Sequence, residues 1–442
     1  MKKLALRFSF IWVMFSFMSW AASAKTSIKD FESAKFSLVT LGPSHYLYSS
    51  AGHTLIRVTT NEFDHVFNWG IFKFDDKFAW KFFQGNTHYS VLATSAKRYF
   101  TRGKKILPRS IIQDELLLST EQKEKLWNKI IWWLKKENRY YQYHPWKRNC
   151  TTIVRDIINH ALNNQVKQKL SAKESYLSVR DTWHLYFGEW TFLATLVDIA
   201  FNSTTDQALS SWEVMHAPEL LRLGLMEFQA YAPNGSELAE KKLLNNASTI
   251  EKGSFWSYRY KNRYFLLLLV FLLPILLAFL PFIKTSGRAF RLLVGIPSAL
   301  WGLSSGLLGL LLLCMPLLSY RSYLYYSANL WIMWPLDLCL IVTGIFWVLG
   351  KTTLPKFLLY TQKYTSYAHM GACLIFLFLA IFQFFDQEIY HSLTVLMPIS
   401  LLINLLQLVL IQQAESQIKS SGDESSSKLR KEAKRQQRKM SA

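Results

Sequence analysis

Two residues in the first half of the chain have types and surroundings suited to covalent chemistry, Cys150 and His53. Of four cysteines, Cys314, Cys339 and Cys373 fall in long apolar runs, so Cys150 stands alone in the segment before them. In an exported domain a lone thiol is intermolecular, inert in a core, or reactive. The segment Trp146-Lys147-Arg148-Asn149-Cys150-Thr151-Thr152 reads as a loop entering a helix with Asn149 as N-cap. Ile153, Val154, Ile157, Ile158 and Ala161 form its apolar face. At the helix N-terminus the macrodipole, with Lys147 or Arg148, favours thiolate over thiol. Free backbone N–H groups there suit a developing oxyanion. On position alone a structural thiol is an equal reading.

A thiol nucleophile needs a base and a group to orient it. Eight histidines precede the apolar runs, and His53 has the most informative setting. It opens an alternating strand, His53-Thr54-Leu55-Ile56-Arg57-Val58, after a small-residue turn. A second strand follows at 65–72. A turn centred on Thr60 and Asn61 places His53 opposite Asn68, with both side chains on one face. The Asn68 amide is then placed to hold the imidazole tautomer. His65 falls near the turn, away from His53, and a one-residue slip would reverse the faces. Tyr48 and Ser44, just upstream, are candidates to line the mouth of the site, with Asn149 beside the thiol; packing is an equal reading for Tyr48. Arg155 and Asp156, one helical turn past the cysteine, read as a structural pair.

The elements that must position these groups belong to an exported domain. Residues 1–24 combine a basic start, an apolar run and Ala22-Ser23-Ala24, the pattern of a signal peptide. Residues 25–232 alternate β-rich and amphipathic stretches, among them the helix 119–138, which opens on a Ser119/Gln122 capping box and reads as packing over the core. A polar segment, 233–262, has the composition of a linker. Apolar runs then occupy 264–283, 292–318, 328–350, 368–385 and 392–412, within a region 263–412, each near the ~20 residues that cross a bilayer. The basic first and third loops between them, and the basic tail 413–442, fit a cytoplasmic C-terminus. The formal charge of +21 and the mean hydropathy of +0.09 are therefore averages over unlike regions. The tail lacks interleaved aromatics and follows a span, so its charge points to membrane lipids and not to nucleic acid. Asp337, inside the third run, is an intramembrane candidate for function, with Asn404 and Gln407 as possible partners. The glycines of GLSSGLLG (302–309) predict close helix contact.

Zinc, nucleotide and glycosidase motifs are absent from the sequence. GHTLIRV (52–58), FNWGIFKF (67–74), RNCTTIVRD (148–156) and RDTWHLYF…STTD (180–206) resemble the periplasmic domain of the Bacteroidota-type lipoprotein N-acyltransferases. That domain is part of the permuted papain-like group related to NlpC/P60 peptidases and lecithin-retinol acyltransferases. The resemblance covers most of 36–230. It implies an α+β, permuted NlpC/P60 domain; with the five transmembrane helices read from the apolar runs, the chain is expected in a bacterial inner membrane. It also implies a cysteine nucleophile at Cys150, a histidine base at His53, and a polar third residue at Asn68, with His65 as the alternative. The activity implied is transfer of an acyl chain from phospholipid, through a Cys150 thioester, to a lipoprotein amine or another envelope acceptor, with no metal or diffusible cofactor. Two rivals stand beside it: a membrane-tethered amidase or endopeptidase on peptidoglycan stems, and a non-catalytic envelope scaffold or sensor.

Overall fold

The computed structural model describes residues 27–44, 49–106, 109–187, 191–230, 241–251, 287–350, 355–382, 384–389 and 392–440. The signal-peptide segment, Tyr48 and the first apolar run, 264–283, lie outside the described residues. The chain forms two compact units, and it changes unit several times instead of once. One unit takes its described residues from the stretches up to Asp75, Thr87–Lys173 and from Ser211 to 251. The other takes Asp76–Asn86, Glu174–Ser210 and the C-terminal helices.

The first unit is α+β. Its strands are β1 (Lys35–Leu41), β2 (His53–Thr59), β3 (Asp64–Phe72), β4 (His88–Ser95), β5 (Ile111–Leu116) and β6 (Tyr140–Gln142). After β7 (Glu174–Ser178) and β8 (Ala208–Ser210), which pair in the other unit, come β9 (Gln229–Ala230), β10 (Lys241–Lys242) and β11 (Leu244–Glu251). The main sheet runs β11-β5-β1-β2-β3-β4-β6, antiparallel throughout. β1 is buried from Phe36 to Leu41, as befits a strand covered on both faces. On one face Val39, Leu41, Leu55, Val66 and Ile111 pack with Ala96 and Phe100 of the helix Ala96–Ile106. Toward the other lies the helix Thr120–Leu134, capped by Ser119 and Gln122 as the sequence predicts. Its Trp127 ring meets Phe67 of β3 edge-on at 5.7 Å, and Leu126, Ile130 and Trp133 are buried with it. The segment expected as a linker instead supplies β11, paired with β5. Its Asn- and Ser-rich sequence suits an edge strand, where polar side chains and bulges discourage further pairing.

The second unit is mostly helical. Three of its helices are long and apolar enough to cross a membrane: Arg288–Leu318, Lys356–Ile381 and the first part of Met397–Met440. Leu293, Leu300, Leu307, Leu313 and Leu317 stand exposed on the first of these, a surface suited to lipid. The expected span 328–350 is not one helix. Short turns at Ser322–Leu324, Ala328–Trp331 and Pro335–Leu338 lead into a helix at Cys339–Val348, with a 62° bend between the two parts. Pro335 cannot continue a helix from Trp334, and Asn329 there donates to the carbonyls of Asp198 and Ile199. The 368–385 run begins a dozen residues early, at Lys356, and the basic tail continues the last helix to Met440. The glycine-rich run does mark a close approach: a Cβ on Gly309 would lie 2.3 Å from the Met333 carbonyl oxygen.

The helix Thr120–Leu134 gives a direct test of the buried face. Ile130→Ala is expected to cost about 2–5 kcal/mol, because a buried methyl-rich side chain leaves a cavity. Trp132→Ala, at a side chain that is 41% exposed, should cost about 1 kcal/mol or less. Thermal unfolding of the detergent-solubilised protein reads both, and the reverse order would overturn the assignment of that face.

Candidate active site

The helix Cys150–Ala161 begins where the sequence predicts. Asn149 is extended and its side chain accepts from the N–H groups of Thr151 (2.9 Å) and Thr152 (2.8 Å). Thr152 returns the bond, its hydroxyl accepting from the Asn149 N–H at 2.8 Å. The Asn149 amide also donates to the carbonyls of Pro145 and His216. Asn149 is thus the structural pivot that seats the thiol. The cap takes the second and third helical N–H groups and leaves the first, on Cys150, outside its bonds.

The hairpin that carries the base is closed by Thr60 and Phe63, where the Thr60 N–H donates to the Phe63 carbonyl at 2.8 Å. This pairs Thr59 with Asp64 and Ile56 with Phe67, a shift of two residues from the expected register. Continued along the hairpin, it sets Gly70 opposite His53, with Asn68 two positions along, opposite Leu55. A two-residue shift preserves the face, so Asn68 still reaches the imidazole. Its Oδ1 lies 2.8 Å from His53 Nε2 and also accepts from the Gly70 N–H at 2.7 Å. Nε2 therefore carries the proton, and Nδ1 is the basic nitrogen. Arg57 pins the register by a bidentate pair with Asp64, at 2.8 and 2.7 Å. His65 pairs with Val58, on the opposite face from His53, and its ring meets Phe63 edge-on; it is not brought to the site.

The Cys150 thiol lies 3.8 Å from the Thr151 hydroxyl, and His53 and Thr54 act on its ionisation. Thr54 and Thr151 join strand to helix through a buried hydroxyl pair at 3.0 Å. Burial pushes the thiol up, but the His53 charge and hydrogen bond, Thr54 and the Thr151 hydroxyl together bring it down to about 7.

Several neighbours escaped the sequence reading. Tyr141 donates its phenol O–H to the Trp69 carbonyl, and burial followed by the Cys150 charge pushes that phenol well above its usual value. Tyr99 is pushed up by burial too, with the Cys150 charge adding to the effect and Arg109 opposing it. His216 donates from Nδ1 to the Glu213 carbonyl (3.0 Å), and burial lowers it to about 4, so it is neutral at physiological pH. Arg155 pairs with Asp156 and lies over the Trp212 ring at 3.9 Å, the structural role read from the sequence. Ser44 hydrogen-bonds Ser49 in the turn before His53.

The later motif 180–206 lies in the other unit. There Arg180, fully buried, pairs with Asp206 and donates to the Phe201 carbonyl, tying the helix Val179–Phe187 to the following turns. Asp337 is in that unit as well, and its partner is His369 (2.9 Å), with Ser305 donating to the second oxygen at 2.5 Å. His369 donates from Nε2 to the Ile332 carbonyl, lies 3.2 Å from Ser400, and stacks on Trp334. Of the expected partners, Asn404 only approaches the His369 ring and Gln407 accepts from Trp347.

The thiol's titration separates these roles. Alkylation of Cys150 by iodoacetamide should follow thiolate, rising with pH around a midpoint near 7. His53→Ala removes the largest favourable influence and should move the midpoint up by about 1 unit or more, toward the ordinary thiol value. Gly70→Ala should act in the same direction, since its Cβ would lie 2.4 Å from His53 Cε1. An unchanged midpoint in both variants would remove His53 from the thiol's environment.

Comparison with known protein families adds the wider context. No curated protein and no solved structure matches the chain. Residues 21–187, which hold both Cys150 and His53, match the family model described as the Lnb N-terminal periplasmic domain. The chain therefore combines an N-terminal part similar to that periplasmic-domain family with a C-terminal part that has three candidate membrane helices.

Proposed function

We propose that this protein is a membrane-anchored cysteine acyltransferase of the inner membrane. In this reading its domain is permuted NlpC/P60-like, five spans follow, and the C-terminus is cytoplasmic. The observation that carries the proposal is the geometry Cys150–His53–Asn68, with a thiol near 7 at a capped helix N-terminus. The lipid-suited surface of the C-terminal helices favours an acyl lipid over a soluble peptide as donor.

In the first half-reaction His53 Nδ1 takes the Cys150 proton and the thiolate attacks the acyl ester carbonyl of a phospholipid. The Cys150 N–H stabilises the tetrahedral oxyanion. Collapse breaks the ester C–O bond, and His53 returns the proton to the departing lysophospholipid alcohol, leaving the acyl thioester. In the second, an acceptor amine, taken as the N-terminus of a lipoprotein, attacks the thioester while His53 accepts its proton. The amide forms, the thiolate leaves, and the proton returns to it. Asn68 keeps Nε2 protonated throughout, so Nδ1 alone changes state.

Mass spectrometry of Cys150 after exposure of the solubilised protein to labelled phospholipid tests the first half. An acyl adduct is expected on wild type and a loss of at least about 100-fold in its rate on His53→Ala. Wild-type protein that never acquires label at Cys150 would sink the proposal. Release of stem-peptide fragments from purified sacculi would favour the amidase in its place.

A further inference from the structure

The helix Ala96–Ile106 follows β4 directly and presents two different faces. Inward, Phe100 is buried in the core, and the half-buried Tyr99 is close enough to Cys150 for the thiol's charge to act on its phenol. Outward, Lys97, Arg98 and Arg102 are exposed, and with Ser95 and Thr101 they line an open groove of about 370 Å³. None of the five lining residues is acidic, and among the described residues no carboxylate pairs with any of the three cations. Arg98 and Arg102 are four apart on a helix, where like charges repel. The groove thus gathers three cations and two hydroxyls without internal compensation. This is a donor set that matches a phosphate: guanidinium groups offer paired N–H donors to its oxygens, and the hydroxyls and ammonium supply the rest.

We propose that this groove seats the phosphodiester of the membrane phospholipid that serves as acyl donor, with Arg98 and Arg102 as the principal contacts and Lys97, Ser95 and Thr101 completing the seat. The assignment rests on the acyl-transfer reading above. Phosphate and acyl ester lie a few bonds apart in one phospholipid. A donor held by its phosphate on this helix keeps its ester close to the element whose Tyr99 feels the Cys150 charge. Because the contacts are made to the phosphate, they serve phospholipids with different headgroups and contribute to KM more than to the chemical step.

The test uses the full chain in a phosphate-free maltoside detergent. In a Cys150→Ser background, where no thioester forms, short-chain phosphatidylglycerol and inorganic phosphate are titrated separately. The Arg98→Gln/Arg102→Gln variant should lose at least tenfold in lipid affinity with its unfolding temperature unchanged, and wild type should bind inorganic phosphate far more weakly than lipid. Equal lipid affinity in the variant overturns the proposal. So does equal affinity of wild type for lipid and inorganic phosphate, which would mark a site for a free anion. With Cys150 intact, the same variant should need at least tenfold more lipid for half-maximal labelling and keep its maximal rate. Labelling identical in variant and wild type overturns the groove and leaves acyl transfer standing. Arginine-dependent lipid binding without any labelling of wild type overturns acyl transfer and supports the phosphate seat.

Discussion

The site depends on one oxygen atom. Asn68 Oδ1 accepts from the Gly70 backbone N–H and from the His53 ring at once. A backbone N–H can only donate, so it fixes which end of the carboxamide faces the imidazole. That orientation in turn obliges Nε2 to carry the ring's proton. The tautomer of the base is therefore set by the main chain of β3 through a single side chain. The arrangement tolerates no bulk at residue 70, where the ring occupies the space a methyl group would need. Upstream, the Arg57–Asp64 pair and the Thr60–Phe63 closure keep the two strands in the register that this geometry requires.

The thiol is held by a different logic. Burial alone would keep Cys150 protonated, as it does the neighbouring phenols of Tyr99 and Tyr141. Hydrogen bonds and a nearby imidazole reverse the sign for the thiol, while the phenols remain neutral. The half-buried Cys150 thiol, near the neutral phenols of Tyr99 and Tyr141, has its strongest favourable influence from His53. The capped helix adds its dipole. The two halves of the site meet through the Thr54–Thr151 pair, which couples the His53 strand to the Cys150 helix one residue along from each.

What could be read from the sequence follows how local each signal is. Asn149, Cys150 and the apolar face of their helix are encoded within a dozen residues, and the structure places them as expected. His53 and Asn68 were legible as sharing a face because strand periodicity survives a two-residue error in the turn. The roles of Gly70, Tyr99, Tyr141 and His216 were not legible, since each is defined by a partner far away in sequence. β11 was hidden because a polar edge strand and a linker have the same composition. The bent segment 322–348 was hidden because hydropathy records apolar content and not the Pro335 break or the carbonyls that Asn329 satisfies. His369 was overlooked as the partner of Asp337 because it stands at the edge of an apolar run, where a single histidine draws little notice.

The interleaving of the chain has a practical consequence for anyone who wants the Cys150 domain as a soluble fragment. A cut after residue 232 would remove β11 from its sheet and strand two excursions, Asp76–Asn86 and Glu174–Ser210, without the C-terminal helices they fold with. The carbonyls of Asp198 and Ile199 would lose the Asn329 amide that donates to them, and the orphaned apolar surface would invite aggregation. Inactivity of such a fragment would report the damage of excision and not the chemistry of the thiol. Measurements on the Cys150 thiol therefore start from the intact chain in a bilayer or its substitute.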